Sequence, residues 1–219
     1  MASLLLLALL CVASLVSGVQ RIESQREAIA RIAVLHAEDA AAVSAAHGES
    51  TDAGRAAYYS FHPTWNPPAP LAFAAVGMRD VAPVMLRVRA LGLEAQIHDG
   101  DAFNPELALA GRFDFAFLLT FLVPLFVIAL MHDLRSSEME SGREGVLRSL
   151  PMRMGGLYLR RTLVRLAVLW LCIAVPFTLA SVSQSVSLLQ IIAVLVLVVA
   201  YLLFWTGLCL LVALSLIHI

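Results

Sequence analysis

Lysine is absent from this 219-residue chain, whose fifteen basic residues are all arginine. A phosphate-binding P-loop needs a Lys after its glycines, so the chain carries no such motif; Gly142-Arg-Glu-Gly145 lacks both the spacing and the Lys-Ser/Thr pair. Cysteine is scarce. Cys11, Cys172 and Cys209 all lie inside apolar runs and read as small buried hydrophobes, which leaves neither a disulfide framework nor a metal site. The six histidines (36, 47, 62, 98, 132 and 218) show no metal-type spacing, and no cofactor is expected. No Gly-x-Ser-x-Gly elbow and no His-Glu-x-x-His helix occurs, so an enzyme with its own catalytic site is not expected. No basic, aromatic-interleaved surface suggests nucleic acid. Charge is thin as well. With 14% charged and 60% apolar residues, the chain is too apolar for an ordinary soluble domain, where apolar residues make up roughly 45–50%.

What the chain does have is apolar residues gathered into long runs, the mark of membrane spans. The first span, residues 1–17, is an apolar run from Met1 to Val16 broken only by Ser3 and Ser14. Its Leu-rich body before Ser17-Gly18 fits a secretory signal, but it has no basic start; a first transmembrane helix whose cytoplasmic start precedes Met1 is expected to explain both. The second run, 113–131, contains Pro124, and the third, 163–182, contains Pro176; each proline removes one backbone bond that neighbouring helices must restore. The fourth, 188–214, is about 40 Å long at 1.5 Å per residue, against a hydrocarbon core of ~30 Å, so it must tilt or break near Thr206-Gly207. The spans are nearly bare of charge; Arg165 at a helix start comes closest.

Two polar stretches separate these runs. The connector 132–162 holds six Arg against four acidic residues. An Arg at the bilayer centre costs about 2.5–3.5 kcal/mol, so the connector is aqueous, and the excess of short-loop cations places it in the cytoplasm. The segment 18–112 holds eight Arg against eleven acids, and long loops translocate with little regard to charge, so it lies outside. Its start is helical to about Ser44, continuing the first helix; the four prolines and four aromatics of Tyr58–Pro70 exclude helix throughout, and Leu71–Leu93 reads as short strands or irregular structure. The expected fold is therefore mostly α: a polytopic helical membrane protein with four apolar spans and a small extracytoplasmic α+β domain.

Several short patterns recur together. They are Asn104-Pro105, Gly111-Arg112-Phe113-Asp114 and Pro124, then Asp133 and the turn Glu138-x-Glu140-x-Gly142, with Pro151 nine residues later. Pro67-Pro68-Ala69-Pro70-Leu71 and Gly77-x-x-Asp80-x-x-Pro83 precede them. Over roughly residues 60–170 this resembles the membrane subunits of type-2 ATP-binding-cassette exporters, in particular bacterial permeases with a long extracytoplasmic loop after the first helix. The chain departs from that family in having Ser141-Gly142-Arg143 where Gln-Gly-Thr is usual, and His132 where a Tyr precedes the Asp.

The resemblance implies a permease subunit of the bacterial inner membrane that has no ATPase site of its own. It implies a dimer with a second permease copy or a paralogue, working with a separate ATP-binding-cassette ATPase subunit. Both ends then read as cut, leaving the front half of a longer permease. Taken alone, the connector is either a solvated loop or an interfacial helix that lays Met139, Val146, Leu147 and Leu150 on the membrane. The resemblance makes it the segment that docks on the ATPase, with Glu138, Glu140, Gly142, Arg143, Pro151 and Arg153 as coupling residues. Gly142 permits a sharp turn and Pro151 starts the next helix. Gly111, Arg112 and Asp114 sit where the outer segment meets the second span and are expected to anchor it. Arg112 and Asp114, two apart on a helix, would bond to different elements. A different class remains open: a membrane-anchored sensor or binding protein whose outer segment, residues 18–112, recognises a ligand or partner.

Overall fold

The structure is a computed structural model that describes residues 2–49, 51–80, 85–89, 113–132, 142 and 154–215. It is mostly helical. Helix α1 spans Ala2–His47 and α2 spans Ala53–Tyr59; α3 covers Phe115–Met131, α4 Met154–Ser183 and α5 Leu188–Ser215. Strands β1 (His62–Trp65) and β2 (Met85–Val88) form the one sheet among the described residues. Among the described residues three helices are long and apolar enough to cross a membrane: within α1, α4 and α5. The chain has the helices of a membrane protein. At 17 residues α3 is shorter, about 25 Å at 1.5 Å per residue.

The chain divides into two compact units, residues 1–16 with 113–219, and residues 17–112. In the first, the start of α1 buries Leu7, Cys11, Ser14 and Leu15, a spacing that puts all four on one helical face. The thiol of Cys11 points at the Ile173 carbonyl of α4, 3.9 Å away, and the Ser14 hydroxyl donates to the Cys11 carbonyl at 2.9 Å. α4 presents Leu169, Ile173, Phe177 and Ser181 on its buried face. α3 presents Phe115, Leu118, Val127 and Met131, and the rings of Phe115 and Phe177 stack at 5.1 Å. α5 contributes Ile191, Val198, Leu202 and Thr206 and packs on both α3 and α4. It runs through Thr206-Gly207 unbroken, so its excess length is not relieved by a break there. α4 likewise extends further back than its apolar run. It starts at Met154, so the last part of the connector is already helix.

The α4–α5 hairpin is closed by backbone chemistry at both of its helix ends. The Val186 N–H reaches back to the Ser181 carbonyl at 3.0 Å and the Ser185 N–H to Val182 at 3.1 Å, the two bonds of a Schellman stop. Ser185 occupies the left-handed position there, φ +56°, where glycine is the usual residue. Ser187 then caps α5: its hydroxyl accepts from the Gln190 N–H at 3.4 Å, while the Gln190 side chain accepts from the Ser187 N–H at 3.3 Å. This is a reciprocal capping box.

In the second unit the polar part of α1 carries the rest. Ile22 is fully buried together with Phe73, and Ala72 and Val76 complete the small core. Gly18 lies where the backbone of Phe73 comes closest to α1; a Cβ there would run into the Phe73 carbonyl oxygen. Arg79 ties the same region together. Its Nε donates to the Gln25 side chain at 3.3 Å and a terminal nitrogen donates to the Asn66 carbonyl at 2.6 Å. β1 and β2 pair antiparallel, His62 opposite Val88 and Trp65 opposite Met85, and Pro63 suits a strand that has one neighbour among the described residues. Asp52 caps α2 by accepting from the Arg55 N–H at 3.0 Å.

Two substitutions test this account. Ser185→Gly removes the strained left-handed side chain and is expected to stabilise the hairpin by about 0.5–1 kcal/mol in a detergent-unfolding titration. A loss of stability instead would show that the Schellman stop is absent. Gly18→Val is expected to cost about 1–3 kcal/mol, because the clash is with backbone and no rotamer relieves it; unchanged proteolytic resistance of residues 17–80 would contradict it.

Candidate functional site

The sequence directs attention to the connector between the second and third apolar runs. Of its expected coupling residues, Glu138, Glu140, Arg143, Pro151 and Arg153 lie outside the described residues, as do Gly111 and Arg112 of the anchoring set. Gly142 takes φ +67°, the left-handed conformation that glycine adopts without penalty, and a Cβ there would meet nothing within 4 Å. The requirement for glycine is thus conformational, not one of space.

Asp114 has a definite job. It is 8% exposed and precedes α3, where its carboxylate accepts from the Phe117 N–H at 2.8 Å and caps the helix. The sequence reading put Arg112 and Asp114 on one helix; Asp114 instead stands ahead of it, in extended backbone with φ −121°. An acidic residue just before an apolar run is a helix-start signal, and it was there to be read.

At the other end of α3 the last carbonyls need donors, since the final four of any helix have no partner within it. The His132 ring donates from Nδ1 to the Ala129 carbonyl at 2.8 Å; the carbonyl can only accept, which sets the tautomer in this contact. Arg165, from the second half of the α3–α4 hairpin, donates through its guanidinium to the Leu130 carbonyl. The Arg165 guanidinium thereby sits at the partially negative end of the α3 macrodipole, where a cation is favoured. The His132 bond stays within the last turn of α3, whereas the Arg165 bond ties the exit of α3 to the shaft of α4, eleven residues past the start of that helix. Arg165 stood out in the sequence only as a charge near a span; its target is a main-chain oxygen 35 residues away, which no local pattern reveals. Arg160 is exposed and Arg161 half-buried one turn before it on α4.

The middle of α3 is irregular. Leu118–Leu122 form a π turn in which the Val123 N–H donates to the Leu118 carbonyl, one residue further back than in an α-helix. Pro124 follows and has no N–H to give the Thr120 carbonyl. The Tyr201 hydroxyl of α5 donates to that carbonyl at 3.0 Å. Among the described residues, buried side-chain atoms without a hydrogen-bond partner include the hydroxyls of Thr162, Ser181 and Thr206 and the indole nitrogens of Trp170 and Trp205.

The second unit has a feature of its own. Asp39, Ala40, Val43 and Ser44 of α1 and Ser60, Phe61 and His62 line a cavity of about 190 Å³. Beside it the rings of His36 and His62 meet edge to face at 5.7 Å, and those of His47 and Tyr59 stack at 5.5 Å. Among the described residues no group of three or more His, Cys, Asp or Glu is placed to hold a metal ion.

Comparison with protein-family models, with curated proteins and with solved structures found no match. The site therefore rests on its own geometry. Arg165→Ala is expected to lower resistance to detergent unfolding by about 1.5–3 kcal/mol, the range for a hydrogen bond from a charged donor, with Arg165→Lys retaining part of it. Equal unfolding midpoints for the wild type and Arg165→Ala would exclude the clamp.

Proposed function

We propose that this chain is the membrane subunit of an ATP-binding-cassette exporter of the bacterial inner membrane, driven by a separate ATPase and paired with a second permease copy or paralogue. In this reading α3 is a fourth span, residues 18–112 lie outside the cell, and 132–162 is the cytoplasmic coupling segment. The observation that carries it is the clamp at the base of the α3–α4 hairpin. A segment that transmits a push must be anchored, and Arg165 bonds the shaft of α4 to the Leu130 carbonyl at the exit of α3, where this segment begins. The charges of Glu138, Glu140, Arg143 and Arg153 suit a polar docking cleft, and Gly142 takes the left-handed conformation of a sharp turn. The sequence resemblance over roughly residues 60–170 supports the same conclusion.

The test is co-purification with the P-loop ATPase encoded beside this gene. Glu138→Lys together with Glu140→Lys is expected to reduce recovery of the ATPase at least tenfold while the membrane subunit still inserts. Undiminished recovery and transport would refute the coupling role.

The cavity beside His62 favours a second reading, in which residues 18–112 recognise a small ligand and the spans are an anchor. A ligand-dependent rise in the melting temperature of the full chain, abolished by filling the cavity with Ala40→Phe, would support it; this outcome with no ATPase recovered would replace the exporter reading.

A further inference from the structure

We infer that α3 is a jointed helix, hinged over Leu118–Pro124, and that the Tyr201 hydroxyl is the latch by which α5 sets its angle. The hinge is written in the backbone. The ladder slips from α to π at Leu118–Leu122, and the next turn lacks a donor because residue 124 is proline. These are two of the recognised causes of a helix bend, and here they fall in adjacent turns. The α-helical partner of the Thr120 carbonyl would be the N–H of residue 124; its replacement comes from a different helix, 81 residues away in sequence. Tyr201 is the fourteenth of the 28 residues of α5, the middle of a helix long and apolar enough to cross a membrane. Water is excluded at that depth, so a carbonyl released there finds no substitute donor in lipid. The Tyr201 ring is itself braced edge-on by Trp205 at 6.3 Å, which limits how far the hydroxyl can swing.

The two halves of α3 are held differently. The first is capped by its own Asp114 and stacked on α4 through Phe115 and Phe177; the last turn is bonded to α4 through Arg165. Between them the latch is a single side-chain bond from α5. Movement of α5 relative to α4 therefore bears on the one weak turn of α3, and breaking the bond lets the halves bend independently. This inference concerns motion within the bundle and does not depend on which partner or substrate the protein has.

The experiment is a double-mutant cycle read by distance. Spin labels are placed at Phe113→Cys and Ile128→Cys, exposed positions on either side of the hinge, in the full chain with Cys11, Cys172 and Cys209 replaced by Ala and the protein in lipid nanodiscs. The otherwise unchanged chain is expected to give one narrow distance. Tyr201→Phe is expected to at least double the width of the distribution. Pro124→Ala restores the missing N–H, so adding Tyr201→Phe to Pro124→Ala is expected to leave the width unchanged. If Tyr201→Phe alone fails to assemble, assembly of the Tyr201→Phe/Pro124→Ala pair supports the latch and its failure overturns it. Equal broadening by Tyr201→Phe in both backgrounds, or none in either, also overturns it.

Discussion

A backbone carbonyl in hydrocarbon has no water to turn to, and the arrangement of this helical bundle follows from that constraint. Lipid tails are as apolar as leucine, so burying more Leu, Ile and Val gives the helices little reason to choose one another. Choice comes from packing and from polar groups that must find partners. α3 is where the need is greatest: its middle carries Pro124, and its last turn ends in unpaired carbonyls. α5 answers the first with the Tyr201 hydroxyl, and α4 answers the second with the Arg165 guanidinium. At the opposite end of α4 the hairpin meets the same demand locally, with a Schellman stop followed by the Ser187–Gln190 capping box.

The elements that sequence makes legible are those set by local composition. Apolar runs of membrane length give the helices at the start of α1 and in α4 and α5, because nothing but helix satisfies so many consecutive backbone groups in lipid. The helical continuation of α1 past Gly18 was legible too, from the spacing of Ile22, Ile29, Ile32 and Leu35. Pro124 announced a missing bond but not its remedy, since the donor lies on another helix. Gly18 read as a small residue of the kind found at a signal cleavage site; its structural role, admitting the Phe73 backbone, depends on a contact 55 residues away. Long-range main-chain contacts of this kind leave no periodic trace. Asp114 is the opposite case, a helix cap that a local signal, an acidic residue just ahead of an apolar run, makes legible.

Of the candidate coupling residues, Gly142 has a defined backbone conformation, and the charged members lie outside the described residues. The functional proposal therefore stands on the frame around them: a hairpin whose base is clamped, joined by a short stretch rich in arginine. Mechanical coupling needs that frame. A loop with free ends absorbs a push, whereas one fixed at the exit of α3 and the shaft of α4 passes it to two helices at once. The jointed middle of α3 then supplies a place for the motion to go, beside the unbroken helices α4 and α5.

The sidedness of the two polar stretches is the claim on which this account turns, and accessibility to a membrane-impermeant thiol reagent tests it most directly. In intact cells, a chain with its native cysteines removed and Ser50→Cys introduced should label, while Ser141→Cys should label only after the membrane is opened. Labelling of position 141 from outside, with position 50 protected, would contradict the account.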